Sequence, residues 1–383
     1  MNDIEYLQRI AMTDRYFVRY EGLPQKSIAK LCNTPKNLKP FNAYSDDTQL
    51  SIRTYRAIQH SVEAGSVNTD KALLNFKREL KYWICGLPTH LGKATAVSCL
   101  KNLLGYKSSG YDSAGNGALM RVGTIARFFT KNDLYDSDAA NKIRILTIEN
   151  TVSTHRNYEA CVTSLWHVIL CISFKKSHFY HTRSTILTEL SKLLNLLEQF
   201  ILSSEDLLKA YKVKNQGEKT ISDIVGFKET CDALSKGLTL NEFSKLNAKF
   251  YRNDQISGYC IDTGVFATLK FLQTCVESSE VKDLNFLKSC FELTALGGDT
   301  DTVAVVYAHL FFNAYPLYIC LCDGALQTMR KNVDFYNELN SDFLNNLGLL
   351  FNTFHCLKTI PKNVWLILKM SAIRIKDIIG VLE

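Results

Sequence analysis

The chain has 383 residues, of which 46% are hydrophobic and 22% charged, and a formal net charge of +7. This is the composition of a folded globular protein, not of a disordered, collagenous or membrane chain. The basic excess is modest for the length, and with no arginine-rich stripe beside it nucleic acid is not the expected partner.

Only 6 prolines and 19 glycines punctuate the chain, which points to long helices rather than strands joined by turns. The 12 cysteines are scattered, with only Cys320 and Cys322 close together and no C-x-x-C pair. They read as small core residues, not as zinc ligands or a disulfide framework, and reduced thiols in this number suit a cytoplasmic protein. The first residues lack a basic-then-apolar leader. The longest apolar run, Val303 to Cys322, contains His309, Asn313 and Pro316, so it reads as a buried helix and a turn, with no membrane span.

An amphipathic helix is expected over Ile4–Phe17, followed by the loop Glu21-Gly22-Leu23-Pro24. Asp14 and Glu21 are its acids of interest. A polar loop with Pro40 covers 36–46 and leads into Ser45-Asp46-Asp47-Thr48. Leu50, Ile52, Tyr55 and Ile58 then continue a helical pattern. One acid would suffice for a cap; two acids and two hydroxyls are more than a cap requires. Two helices, Lys71–Cys85 and Lys93–Leu104, flank Gly86-Leu87-Pro88 and His90. A histidine in such a connection is usually solvated, and a ligand role is the alternative.

The stretch Lys107 to Gly117 is rich in glycine and serine and precedes a helix expected over Leu119–Phe129. Backbone N–H groups at such a helix mouth can cradle phosphate oxygens; a tight packing loop is the equal alternative. The pattern is neither a P-loop nor a dinucleotide fingerprint. Residues 137–173 hold two helical patterns joined at Val152-Ser153-Thr154-His155, with His155 near the second start as a cap or a ligand. Residues 174–250, with a leucine-rich helix over Ile186–Leu202 and a polar loop over Lys212–Lys219, supply packing and surface. A helix begins in Ser257–Thr263 and runs through Phe271, another covers Leu284–Leu296, and two or three more are expected over 325–383. No β-hairpin signal and no repeat period is visible.

The helix over Leu284–Leu296 delivers the chain to Gly297-Gly298-Asp299-Thr300-Asp301-Thr302. Within a helix, residues i and i+2 point about 200° apart, so Asp299 and Asp301 cannot share a ligand from its interior. They can converge if the glycines turn the backbone and the helix begins near Asp301. Asp46, Asp47, Asp299 and Asp301 thus stand at two helix starts of matching design. If these starts meet, the like charges raise one another's pKa unless cations neutralise them. The helix termini offset only ~0.3–1 kcal/mol per charge. An all-oxygen donor set selects magnesium, manganese or calcium over zinc. With Glu21 as a fifth acid, two divalent ions balance the charge better than one, and such a pair can hold vicinal sugar hydroxyls.

Over residues 8–315 the chain resembles the ADP-ribosylglycohydrolases of the dinitrogenase-reductase-activating and ADP-ribosylarginine/ADP-ribosylserine hydrolase type. Four stretches carry the resemblance, in family order: Ser45-Asp46-Asp47-Thr48, Ser113-Ala114-Gly115-Asn116-Gly117-Ala118-Leu119-Met120-Arg121, Thr154-His155, and Gly297 through Thr302. The resemblance implies an all-α, compact single-domain orthogonal helical bundle spanning 1–383. It implies two Mg2+ ions, or Mn2+ in their place, ligated by Ser45 or Thr48, Asp46, Asp47, Asp299, Asp301 and Thr302. It implies a diphosphate held by Ser113, Gly115, Asn116 and Gly117, with His155 near the ribose or diphosphate. Glu21, Asp47 and Asp299 are the expected catalytic carboxylates.

The expected activity is hydrolysis of the bond between ADP-ribose and a modified acceptor, with arginine on protein as the leading acceptor. The partners implied are an ADP-ribosylated protein and ADP-ribose, and a monomer is expected. One departure bears on the cleft. Where the family opens with Gly-Asp-Ala-Leu-Gly, this chain has Thr13-Asp14-Arg15-Tyr16-Phe17 and keeps Glu21 at the family spacing. Phe17 and Arg19 replace small residues, and Tyr307, Phe311 and Phe312 enlarge the helix after the last motif. A degenerate ADP-ribose-binding or transferase-blocking module is the competing reading.

Overall fold

The computed structural model describes residues 1–23, 25, 28, 44–86, 88, 90–106, 109–176, 182–214, 219–277, 284–316 and 318. The helices expected over 325–383, the loop around Pro40 and Ser278-Ser279 lie outside them.

Side-chain caps set where many of the helices begin, because each satisfies a backbone N–H that the first turn leaves open. Asn2 accepts from the Glu5 N–H at 2.8 Å and opens α1 (Asp3–Phe17). Ser45 accepts from the Asp47 N–H at 3.2 Å and opens α2 (Asp46–Gln59). Asn68 opens α3 (Thr69–Cys85), and α4 (Lys93–Leu103) follows the connection that holds His90. After the short α5 (Leu119–Val122), Asp136 opens α6 (Ser137–Val152) and Asn157 opens α7 (Tyr158–Ser173). Thr182 opens α8 (Arg183–Leu202). Four shorter helices follow: α9 (Glu205–Ala210), α10 (Ile221–Ile224), α11 (Phe227–Lys236) and α12 (Leu240–Leu246). The chain then builds α13 (Cys260–Glu277), α14 (Phe286–Thr294) and α15 (Thr300–Ala314). The fold is all-α, and these bounds lie close to those read from the hydrophobic pattern.

Two expectations need correction. The helix expected over Leu119–Phe129 stops at Val122 and continues as a tighter 3-10 turn, Gly123–Phe128. There Gly123 runs against α15 so closely that a Cβ would lie 2.6 Å from His309 Cβ. A hairpin is also present where none was expected. β1 (Val62–Glu63) pairs antiparallel with β2 (Ser66–Val67). Its turn residues, Ala64 and Gly65, have φ of 49° and 81°. A two-residue turn with both φ positive matches the strand twist, but it normally carries Asn-Gly or Asp-Gly. Ala-Gly hides it.

Helix α15 lies at the centre, and all of its residues from Thr300 to Ala314 are buried. A helix that is apolar on every side needs neighbours on every side. Here α1, α7, α13 and α14 pack around it. Phe286 of α14 meets Tyr307, Phe311 and Phe312 with ring centroids 5.7, 4.9 and 4.6 Å apart. The large residues of α15 therefore fill the α14 interface. Phe17 is likewise in the core, its ring edge-on to Phe291 at 5.2 Å.

Two buried polar networks fix α2 and α15 in place. Glu79 of α3 pairs with Arg53 at 2.7 Å and Arg56 at 3.3 Å, both on α2. Removing one partner of such a buried group costs about 3–5 kcal/mol, because the other charge is left behind. On α15, His309 Nε2 donates to the Met120 carbonyl at 2.9 Å. Its Nδ1 then accepts from the Tyr6 hydroxyl at 2.6 Å. The pair ties α15 to α5 on one side and α1 on the other. No helix among the described residues is long and apolar enough to cross a membrane.

Candidate active site

The mouth of α2 is organised by an acid from another helix. Asp14 of α1 is fully buried, and its Oδ2 accepts from Ser45 N–H (2.9 Å), Ser45 Oγ (3.0 Å), Thr48 N–H (3.2 Å) and Thr48 Oγ1 (2.7 Å). Ser45 Oγ also accepts from the Asp47 N–H. The Ser45 hydroxyl expected to bind a cation is thus engaged in the cap. Asp46 and Asp47, relieved of capping, are buried at 7% and 2% exposure.

The mouth of α15 is organised by glycines. Gly297 and Gly298 have φ of 77° and 87°, values open to glycine but strained for other residues. A Cβ on Gly298 would fall on the Ile256 carbonyl oxygen. Their backbones are stitched on both sides. Gly22 N–H donates to Gly298 O at 2.7 Å, and Ile256 N–H to Gly297 O at 3.2 Å. Asp299 occupies the cap position of α15, yet its side chain makes no cap hydrogen bond. Its Oδ2 instead accepts from Asn116 Nδ2 at 2.8 Å. A plain N-cap does not describe this residue.

The two mouths meet. Thr302 Oγ1 of α15 donates to Asp47 Oδ1 of α2 at 3.2 Å. Glu21, carried on the turn that Gly22 and Leu23 pin to Gly298, faces the same space. Ligand atoms of Glu21, His90 and Asp301 lie within 4.8 Å of one another. The side chain of Glu21 remains 29% exposed, unlike the buried aspartates, so it is within reach of solvent. His90 is not a solvated loop residue: its side chain is 12% exposed and its Nδ1 contacts Glu21 Oε2.

Burial first, then the charges of Glu21, Asp14 and Asp299, push the Asp46 carboxyl well above the usual carboxylate range. Burial, then Asp14, Asp46, Asp299 and Glu21, does the same to Asp47. Burial, then Glu21, Asp47, Asp299 and Asp14, raises Asp301. Two like charges about 4–5 Å apart repel by roughly 3–4 kcal/mol at a near-surface dielectric. The helix dipole returns at most ~1 kcal/mol per charge. Protons or cations must therefore complete the site. Asp47 Oδ2 and Asp301 Oδ1 are buried and have no hydrogen-bond partner. Acceptor-only oxygens left unmet in this way, in a set dominated by carboxylates, fit a hard divalent cation.

The glycine loop forms a second wall. Asn116 links it to the α15 mouth, since its Nδ2 donates to both Asp299 Oδ2 and Thr263 Oγ1 (2.9 Å). The Asn116 N–H donates to Gly258 O at 3.0 Å, and the Gly115 N–H to Ser113 Oγ at 3.2 Å. These two donors, candidates for a phosphate cradle, are already engaged, and the following helix has a single turn. His155 lies buried against Gly115 and Gly117, where a Cβ on Gly117 would come within 2.8 Å of its ring. It does not cap α7; Asn157 does, accepting from Glu159 N–H and Ala160 N–H.

Burial, and then Arg121, sets the charge of His155. The Arg121 guanidinium donates to Thr154 Oγ1 at 2.7 Å, and Thr154 Oγ1 contacts His155 Nδ1 at 2.9 Å. A guanidinium only donates, so Thr154 Oγ1 accepts from Arg121, and either its second lone pair or its own proton meets Nδ1 according to the tautomer of the ring. Burial and the Arg121 charge lower the His155 pKa to about 3, which keeps it neutral. Neutral His155 carries a single N–H, and its Nε2 lies beside Gly115.

Four features escaped the sequence. Asp14 caps a helix that begins 32 positions further on, a distance no local pattern encodes. His90 sits in a loop with no motif around it. Arg121 belongs to a quoted motif, but its bonds to Asn150 Oδ1 (2.9 Å), Asn150 O (2.9 Å) and the Gly117 carbonyl show a scaffold role. Tyr259 pairs with Gly115 in a short bridge, and its hydroxyl joins Glu159 and Lys219 at the outer edge of the loop.

A search of curated proteins returns no match. The chain is similar in structure to a solved protein described as an ADP-ribosylglycohydrolase-related protein complex, at 17% identity and a TM-score of 0.46, over 88% of this chain and 97% of that one. The family profile described as ADP-ribosylglycohydrolase matches residues 10–311, a span that contains both helix mouths, Glu21, the glycine loop and His155. The chain belongs to the ADP-ribosylglycohydrolase family.

Proposed function

We propose that the chain releases ADP-ribose from modified arginine on protein, and that two divalent cations, Mg2+ in the first instance, sit between the two helix mouths. Family membership gives the coarser statement, a hydrolase of ADP-ribose linkages. The observation that supports the cation reading is the pair of unmet buried oxygens, Asp47 Oδ2 and Asp301 Oδ1, on mouths bridged by Thr302 and Asp47.

In this reading Asp46, Asp47, Asp299, Asp301 and Thr302 hold the cations, and Ser45 acts through the cap of α2. Bound cations would fix the ribose hydroxyls and polarise the anomeric centre. Asn116 orients the Asp299 carboxylate through its amide. His155 is neutral, and in its Nε2-protonated tautomer it donates to a ribose or diphosphate oxygen lying along Ser113–Gly117. Glu21 is the carboxylate most open to solvent, and it takes the proton of the attacking water as a general base. The catalytic unit spans the whole chain and acts as a cytoplasmic monomer on an ADP-ribosylated protein, with no nucleic acid involved.

Arginine is the first acceptor to test because that linkage is common among hydrolases of this type. The experiment is a panel of arginine-, serine- and ester-linked ADP-ribosyl substrates, each with Mg2+ or with chelator. Release from the arginine linkage, lost on chelation, is the expected result. Release from the serine linkage alone overturns the acceptor. ADP-ribose binding without release from any linkage overturns hydrolysis and leaves a binding module.

A further inference from the structure

Glu21, His90 and Asp301 come from three separate parts of the chain: the turn after α1, the connection between α3 and α4, and the first turn of α15. One ligand atom of each lies within 4.8 Å of the other two. The backbone of His90 has φ of 61°, in the left-handed region that few non-glycine residues adopt. Its imidazole is directed at the Glu21 carboxylate. Asp301 is 3% exposed and its Oδ1 has no hydrogen-bond partner. A divalent ion bound at about 2.1–2.2 Å sets its donors up to about 4.4 Å apart. A closing movement of a few tenths of an ångström, by the same arithmetic, brings the His90 nitrogen and the Asp301 oxygen onto one ion, with Glu21 beside it.

The remaining aspartates of the cluster offer only oxygen. An imidazole changes the chemistry of the position it joins. Mg2+ is a hard ion that keeps to oxygen donors and water, whereas the first-row transition dications take imidazole beside oxygen, Fe2+ and its later neighbours most readily and Mn2+ more readily than Mg2+. We propose that His90 supplies a nitrogen ligand to one of the cation positions, and that this position selects a first-row transition dication over Mg2+. The proposal rests on the divalent-cation reading of the site and adds to it a ligand and an ion class. A His90 that merely held Glu21 in place by a hydrogen bond would leave the ion preference unaltered.

The test uses the full chain stripped by chelator and reloaded with Mn2+ as the probe. Electron spin-echo modulation of the bound Mn2+ reads directly whether a histidine nitrogen is coordinated, because the signal shifts on 15N-histidine labelling. Calorimetry gives the Mn2+ and Mg2+ affinities in parallel. The wild-type chain is expected to show the nitrogen coupling and to bind Mn2+ more tightly than Mg2+. His90→Ala is expected to lose the coupling and to cost ~10-fold or more in Mn2+ affinity with little change for Mg2+. Mn2+ bound without nitrogen coupling in the wild type overturns the proposal, as does a His90→Ala variant that keeps both the coupling and the preference. If His90→Ala does not fold, His90→Gln takes its place, and the wild-type spectrum alone still decides against the proposal if nitrogen is absent. Failure of the underlying reading looks different: the stripped wild-type chain then binds neither Mn2+ nor Mg2+.

Discussion

At the mouth of α2 the first turn is satisfied by a charge brought from outside, whereas at the mouth of α15 the turn before the helix is held by backbone alone. Asp14 accepts hydrogen bonds from the backbone and hydroxyl of both Ser45 and Thr48. Gly297 and Gly298 exchange bonds with Gly22, Leu23 and Ile256 with no side chain taking part. Both devices have one effect: the acids written into the two motifs are released from capping and turned toward a common cleft. The motifs look alike in sequence, but one depends on a buried carboxylate and the other on the absence of a Cβ.

The largest effect is expected from breaking the α15 mouth. Gly298→Ala places a methyl group on the Ile256 carbonyl in a backbone region unsuited to alanine. It should cost at least about 3 kcal/mol in urea denaturation. A near-wild-type midpoint would mean that the loop can open without consequence. Next comes the α2 mouth. Asp14→Ala leaves two backbone and two hydroxyl donors without their acceptor. A loss of about 2–4 kcal/mol is expected in Mg2+-loaded protein, and a smaller one in chelator, where removing the Asp14 charge also relieves Asp46, Asp47 and Asp301.

The third change has the opposite sign. Asp301→Asn removes one of the mutually repelling charges and adds no volume. In chelated protein it should raise stability by about 1 kcal/mol, the equivalent of roughly one pKa unit of relieved repulsion. In the presence of Mg2+ it should abolish ADP-ribose release. A variant destabilised in chelator would place Asp301 among ordinary buried hydrogen-bonded groups.

The smallest effect is in pH. The carboxyls of Asp46, Asp47 and Asp301 are raised in the folded chain, so the folded state binds more protons than the unfolded one. Their stabilising contribution is complete below the ordinary carboxylate pKa and is lost as pH rises through the raised folded values. His155 and His309, lowered to about 3 and about 4, act in the other direction, but only below their ordinary value near 6.5. Chelated protein should therefore melt lower at pH 8 than at pH 6.5, and Mg2+ should flatten the slope. A slope unaltered by Mg2+ would separate the ions from these carboxylates.

The helices were legible because their apolar faces recur with helical spacing and their caps are local. The two acidic mouths were legible because a second acid beside a cap is unusual within a few residues of sequence. What escaped depends on distance along the chain. Asp14 and the cap it forms belong to different helices, and Gly123 breaks its helix because of His309 on α15. The hairpin escaped because Ala64 takes a backbone conformation that alanine seldom adopts. Phe17, read as a change in the cleft wall, proved to face Phe291 in the core. A residue's direction is set by tertiary packing, and no local pattern carries it.

The central claim is that the two mouths form one cation site, and calorimetric titration of Mg2+ into chelated protein tests it most directly. Three proteins are compared: the wild type, Asp47→Asn from the α2 mouth, and Asp301→Asn from the α15 mouth. The account predicts that the wild type takes up two ions and that either substitution weakens the same uptake, since both carboxylates face one space. Uptake unaffected by one of the substitutions, or no uptake by the wild type, would contradict it.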